Sequence, residues 1–296
     1  MIRILVTGSE SFIGKELITI LKKRKFFVYG IDRYKKTSFT NKSIDINSKK
    51  INDIIYNYKI DTVIHLAAIS RDADCKRNIL LTFKSNVLGT LNLIDISKKN
   101  KIKNFIFASS EWVYDSFENK KEKKESDIID IKKITSEYAL SKLVSENNLR
   151  QFYEVNRKTN IIILRFGIIY GNRKNNWSAV ESLFDKVKNK KIITVGSLKT
   201  ARRFIHVKDI CSGIISSINI KGFHIINLQG KKMVSLQEII KKTSRLLNVK
   251  YIVNEENKNK PNIRKVSNNK SKKILKWEPK ITIDDGLKML NLYLKN

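Results

Sequence analysis

Short apolar runs alternate with longer stretches of helical periodicity through the first half of the chain. RILV (3–6), FFVYGI (26–31), TVIHLA (62–67), NFIFAS (104–109) and IIILRF (161–166) are apolar at consecutive positions, which predicts strands buried on both faces. Between them, Phe12 to Arg24, Ile79 to Lys98 and Ile134 to Val155 carry helical patterns. Such alternation predicts an α/β fold: a doubly wound parallel sheet covered by helices, with right-handed crossovers. After residue 170 the rhythm changes. Helical patterns at 178–188, 208–218, 235–247 and 283–294 alternate with shorter strands near 192–195 and 223–228. A sheet domain over 1–170, with 204–230 returning to it, and a smaller mixed α/β domain over 171–296 are therefore expected. Two polar stretches, 115–127 and 254–273, read as loops.

Composition narrows the classes. A chain of 296 residues, 41% hydrophobic, can bury a full core. Cys75 and Cys211 lie far apart and the three histidines are scattered, so neither a disulfide framework nor a metal site is expected. The opening MIRILVTG lacks the shape of a signal peptide, and IIILRFGIIY (161–170) is short and broken by Arg165. A cytoplasmic protein with no membrane partner is expected. Sixty Lys+Arg against 28 Asp+Glu give a net charge of +32, which raises nucleic acid as a partner. The lysines are spread through a chain rich in Lys, Asn and Ile, however, and no RNA-binding signature accompanies them. Compositional drift explains the charge better, and the same field would draw in an anionic substrate.

The first candidate chemistry follows the first strand. In TGSESFIG (7–14), Gly8 permits a tight turn and Gly14 a close helix–sheet approach, with the helix amino end aimed at a pyrophosphate. Ser11 stands where a middle glycine is usual; it is small and can itself donate to an oxygen. Asp32 ends the second strand about twenty residues on, where a carboxylate accepts from the ribose 2′-hydroxyl of NAD and repels the 2′-phosphate of NADP. Arg33 beside it could serve NADP, but NAD is favoured. A plain strand–turn–helix with a surface aspartate would show the same residues.

A second constellation is YALSK (138–142), which places Tyr138 and Lys142 one helical turn apart. A free phenol has a pKa near ~10, and a nearby ammonium favours its ionised form. Tyr138 could then take a proton from a sugar hydroxyl as hydride leaves the same carbon. Lysine-rich chains produce this spacing by accident, and Tyr170 with Lys174 is a second instance. Position favours the first: FASSEWVY (107–114) ends a strand in Ser109 and Ser110, about thirty residues upstream.

With these segments in place, the chain resembles the extended short-chain dehydrogenase/reductases of the NAD-dependent epimerase/dehydratase family, which act on nucleotide sugars. HLAA (65–68), NVLGT (86–90), LRFGIIYG (164–171), RRFIHVKDI (202–210) and KKILKWEPK (272–280) extend the match along the chain. The resemblance implies a Rossmann domain with a smaller substrate-binding domain. It implies Ser110, Tyr138 and Lys142 as the catalytic triad, and Gly8, Phe12, Ile13 and Gly14 as the pyrophosphate turn. Asp32 would meet the ribose, Asp45 and Ile46 the adenine; Leu66, Ala67 and Ala68 would line the cofactor channel, with Ser109 near the nicotinamide and Asn86 supporting the cofactor or substrate region. Arg202 would clamp the substrate diphosphate, with Lys260 as a second cation, although Arg202 and Arg203 are not separable by sequence. His65 and His206 read as core histidines, Trp277 as packing in the small domain, and Cys75 as a bystander. The family's dehydratases carry an Asp-Glu pair after the catalytic hydroxyl residue; Glu111 and Trp112 stand there, beside the substrate, which disfavours dehydration. Ile168 replaces an asparagine that touches substrate in relatives. An NAD-dependent nucleotide-sugar epimerase, similar to UDP-glucose 4-epimerases and homodimeric through the helices at 79–98 and 134–155, is the resulting expectation. A keto-sugar reductase or sugar-acid decarboxylase on the same scaffold, and a non-catalytic dinucleotide- or RNA-binding protein, are the rivals.

Overall fold

The computed structural model describes residues 2–34, 37–114 and 121–294. In the first half, strands β1 (Arg3–Thr7), β2 (Phe27–Asp32), β3 (Lys42–Ser43), β4 (Thr62–His65), β5 (Asn104–Ser110) and β6 (Asn160–Phe166) are joined by helices. These are α1 (Phe12–Lys23), α2 (Ile51–Asn57), α3 (Asp72–Arg77), α4 (Ile79–Phe83), α5 (Gly89–Lys99) and α6 (Glu137–Val155). The second half adds β7 (Ile169–Tyr170), α7 (Ala179–Asn189), β8 (Ile192–Val195), β9 (Ala201–Arg202), β10 (Ile205–His206), α8 (Val207–Ser217) and β11 (Phe223–Leu228). It closes with β12 (Val234–Ser235), α9 (Leu236–Leu247), β13 (Ile252–Glu255) and α10 (Ile283–Tyr293).

Seven of these strands form one parallel sheet in the order β11-β6-β5-β4-β1-β2-β3. Alternation along each strand feeds two cores. Ile4, Val6, Ile64, Ile106, Ile162 and Leu164 pack with α1 and α8 on one face, while Leu5, Val63, Phe105, Phe107, Ile161 and Ile163 pack with α2, α5 and α6 on the other. The order reverses between β1 and β4, so a crevice opens beyond their carboxyl ends. The segment 207–228 joins this sheet, with α8 packed on α1 and β11 paired to β6. A third core gathers α7, α9 and α10 around Val180, Phe184, Ile239, Ile240 and Leu287.

Two expectations are corrected. Trp277 packs in the first sheet core and donates from Nε1 to Ser212 Oγ of α8 at 2.7 Å, rather than stabilising the small domain. The helix expected over 79–98 is two α-helical pieces joined by a π-helical turn at Lys84–Leu88. The run Ile79–Lys99 is also long and apolar enough, at a mean hydropathy of 1.2, to cross a membrane by length and composition. Here Val87, Leu93 and Ile96 are buried within the fold. Of the polar stretch 115–127, the first six residues lie outside the described ones; the rest lies beside 265–267, where Lys123 N donates to Lys265 O at 2.8 Å.

Candidate active site

A cavity of about 550 Å3 occupies the crevice at the carboxyl ends of β1, β2 and β4. Of the expected cofactor residues, Gly8, Ser11, Asp32, Arg33, Asp45, Ile46, Leu66, Ala67 and Ala68 line it. Gly8 has φ of +71°, and a Cβ there would sit 2.8 Å from Ala67 N. A Cβ on Gly14 would meet Gly8 O at 2.3 Å, so the first turn of α1 lies hard against the strand-end turn. Ser11 is the N-cap of α1: its Oγ accepts from Gly14 N at 3.0 Å and keeps its own hydroxyl proton to donate. The side chains of Phe12 and Ile13 pack against the sheet core instead of lining the cavity, so their part in binding falls to the amide N–H groups of the first turn.

Asp32 closes β2 at the far wall, where Oδ2 accepts from Glu10 N at 3.0 Å and Oδ1 from Tyr34 N at 3.3 Å. Lys15, Arg33 and Lys84 supply cations around the same cavity. Asp45 is held low chiefly by the backbone N–H of Asn47, which its Oδ1 accepts at 2.8 Å. This donor set, an acidic strand end beside a glycine turn and a helix N-terminus, fits a dinucleotide with an unmodified ribose. Asn86 lies beneath the cavity rather than in it. It accepts from Ile69 N at 2.8 Å, donates to Ile69 O at 2.9 Å and donates to Ser141 Oγ at 3.0 Å, which fixes the loop after β4 to α6.

The catalytic candidates meet where α6 passes the end of β5. Ser136 caps α6, accepting from Ala139 N and donating to Asp72 Oδ1 at 2.6 Å. Tyr138 lines a second cavity, of about 280 Å3, with Asp72, Trp112, Asn176 and Trp177. Asn176 also borders the larger cavity, so the two adjoin. Ser110 lies beside the Tyr138 side chain, and its Oγ accepts from Trp112 N at 3.2 Å. Burial pushes the Tyr138 phenol up to about 12, an effect that the Ser110 hydroxyl opposes.

Lys142 is placed differently from the expectation. Its Nζ donates to Ala108 O at 2.7 Å, 4.6 Å from the Phe107 ring centre and 5.9 Å from that of Tyr138. Burial brings the ammonium down to about 7, with Glu146 opposing. Ser109 donates its hydroxyl to Glu146 Oε1 at 2.5 Å, on the same helix α6. Glu146 stands at the third place in the i, i+4, i+8 series from Tyr138, buried and doubly bonded to Arg165 at 3.0 and 2.6 Å. That spacing was a readable signal for it.

The arginines separate cleanly. Arg203 pairs with Glu122 at 3.0 Å and donates to Lys231 O at 3.3 Å. Arg202 is brought down to about 10 by burial and by Arg264, while Glu111 acts in the opposite direction. Arg264 lies 4.9 Å from the Trp112 ring centre, and the side chain of Lys260 is exposed. Sequence alone could not choose Arg264, because it sits in a polar loop with no fixed register. Glu111 is buried beside these cations, and burial raises its carboxyl to about 7. Gln229, oriented to satisfy both neighbours, donates to Glu111 Oε2 at 2.8 Å and accepts from Gly167 N at 3.2 Å.

Other candidates are structural. His65 bridges Thr7 Oγ1 (2.7 Å) and Thr90 Oγ1 (3.0 Å) inside the core, and His206 caps α8. Tyr170, of the second Tyr-Lys pair, is buried and donates to Thr282 O at 3.3 Å. Cys75 is buried beneath Ile69, whose carbonyl its thiol faces at 3.4 Å.

Residues 4–228 match the model of the NAD dependent epimerase/dehydratase family. The chain belongs to that family. It is 29% identical over 306 residues to a UDP-glucuronate 4-epimerase of Thermodesulfobacterium geofontis, covering 96% of this chain and 93% of the relative. Among solved structures, it superposes on the UDP-glucose 4-epimerase of Thermotoga maritima, determined with UDP-glucose, at a TM-score of 0.88, 22% identity and 99% coverage of both chains. The Thermus thermophilus UDP-glucose 4-epimerase in complex with NAD gives a TM-score of 0.85 at 19% identity, again covering 99% of each chain.

Proposed function

We propose that the protein is an NAD-dependent 4-epimerase of UDP-sugars. The observation that carries this reading is the place of Tyr138 at the wall of a sugar-sized cavity that adjoins the dinucleotide-shaped crevice. Gly8, Ser11 and Asp32 would hold NAD, which would supply a hydride acceptor that also returns the hydride. Tyr138 Oη takes the proton of the sugar hydroxyl and later returns it; Ser110 Oγ holds the same oxygen in place. Lys142, anchored on Ala108 O, contributes positive charge beneath the reacting oxygen. Arg202 and Arg264 anchor the diphosphate, so binding remote from the ring supports the chemistry. Trp112 walls the sugar cavity where the family's dehydratases carry a second carboxylate, which supports chemistry without water loss.

Two further assignments belong to this reading. Leu80 is 81% and Leu88 53% exposed on the 79–99 run, which supports a homodimer through this face in a cytoplasmic enzyme. Sedimentation would show a monomer for Leu88→Glu, whereas an unchanged dimer would place the interface elsewhere. The catalytic test is product NMR on the NAD-loaded protein with UDP-glucose, UDP-galactose and UDP-glucuronate. Interconversion of 4-epimers without net NADH supports the proposal. Stoichiometric NADH consumption with a keto-sugar would make it a reductase, and loss of carbon dioxide a decarboxylase.

A further inference from the structure

The cavity at Tyr138 carries a charge that the chemistry proposed above does not use. Among the described residues that line it, Arg71 and Asp72 are the ionic ones. Both come from the loop and first helical turn that follow β4, and that backbone is held on both sides. Asn86 grips Ile69, accepting from its N–H at 2.8 Å and donating to its C=O at 2.9 Å, while Cys75 N donates to Arg71 O at 2.9 Å. Asp72 ties this loop to α6: its Oδ1 accepts from Ser136 Oγ at 2.6 Å, two residues before Tyr138. Its Oδ2 pairs with Lys76 at 2.9 Å. Both carboxylate oxygens are thus engaged. Arg71 differs: it is exposed, lines the cavity and meets no acceptor for its guanidinium among the described residues. Arg173, four residues before Trp177, is no substitute, since Nε is bound to Glu181 at 2.7 Å and Nη2 to Ile169 O at 3.0 Å. Trp177 Nε1 likewise donates to Arg173 O at 3.0 Å, which leaves its indole no free donor.

We infer that Arg71 determines specificity: its guanidinium pairs with a carboxylate on the ring carbon next to the one epimerised, so the preferred substrate is a nucleotide hexuronate rather than a neutral hexose. This rests on the 4-epimerase reading given above. With the C4 oxygen at Tyr138, the C5 substituent is one ring atom away, inside the same cavity of about 280 Å3. A planar guanidinium presents two parallel N–H donors that match a carboxylate. A hydroxymethyl group in that place accepts from one of them and leaves the positive charge without a counter-ion. A sugar seated beside Trp112 and Trp177 displaces water from around the pair, which strengthens it beyond an ion pair on open surface.

The test measures kcat/KM and Kd of NAD-loaded protein for UDP-glucuronate and UDP-glucose, which differ at C6 alone, in wild type, Arg71→Gln and Arg71→Lys. Wild type is expected to favour UDP-glucuronate by about 10- to 100-fold in both quantities. Arg71→Gln is expected to bring that ratio to within about threefold of unity, and Arg71→Lys, which keeps the charge without the fork, to an intermediate value. A wild-type ratio at or below one overturns the inference without need of the variants, should these fail to fold. A ratio that Arg71→Gln leaves unchanged overturns it as well. Free UDP, which has no sugar, separates this contact from one to phosphate: if Arg71→Gln loses as much affinity for UDP as for UDP-glucuronate, Arg71 serves the diphosphate and the inference fails. Turnover of neither sugar, with the Kd ratio as expected, would refute the epimerase reading alone and support Arg71 as the partner of the carboxylate. Binding of neither sugar would overturn both.

Discussion

The ammonium of Lys142 is 2.7 Å from the carbonyl oxygen of Ala108, one residue before the Ser109–Ser110 pair, and it reaches Tyr138 only across the phenol ring at 5.9 Å. The lysine thus fastens helix α6 to the strand that carries Ser110. The phenol, pushed up to about 12, remains protonated at neutral pH until further positive charge is brought against it.

Tyr138→Phe removes only an oxygen, so the fold and bound cofactor are expected to persist while kcat falls by about 10²–10⁴-fold. Turnover by NMR and cofactor content by absorbance check both halves of the statement. Undiminished turnover would remove Tyr138 from the chemistry.

Arg202 and Arg203 are neighbours with different duties. Arg202→Ala is expected to raise KM for a UDP-sugar about 10- to 100-fold through loss of charge-assisted bonds to phosphate. Arg203→Ala, which breaks the pair with Glu122, is expected to leave KM within about threefold and to lower stability by about 1 kcal/mol. Reversed KM effects would exchange the two assignments.

Gly8→Ala places a Cβ 2.8 Å from Ala67 N at a φ of +71°. The turn must open, and the protein is expected to purify without the nucleotide that wild type retains. Equal cofactor content in the two preparations would contradict the crevice assignment.

The His65 imidazole is pushed down by burial, aided by the charge of Lys142, from 6.5 to about 3. Between these values the unfolded chain binds a proton that the folded one refuses. Stability therefore falls as pH falls from 6.5, by about 1.4 kcal/mol per pH unit from this group. The His65 ring resonances are expected to stay fixed down to pH 5; a midpoint near 6.5 would show an exposed ring.

The sheet was legible because its strands are apolar on both faces, and no other arrangement buries runs such as Ile161–Ile163. The Gly8 turn, Asp32, Ser110 and Tyr138 were legible because each occupies a position set by the end of a strand or the face of a helix. What escaped were facts of direction and distance. Ser109 and Ser110 are indistinguishable as letters, yet Ser109 donates to Glu146 while Ser110 Oγ accepts from Trp112 N. Short α2 and α3 lack the turns needed to show a period. Arg264 and Gln229 reach the site from loops that the sequence does not index. The charge of +32 gave no position at all.

The most direct test of the central claim uses UDP-glucose deuterated at C4 with the NAD-loaded enzyme in ordinary water. If Tyr138 and the crevice act as proposed, the hydride leaves and returns within one active site, and UDP-galactose forms with deuterium retained at C4 and no net NADH. Exchange of that deuterium for solvent hydrogen, or its accumulation in released cofactor, would contradict the account.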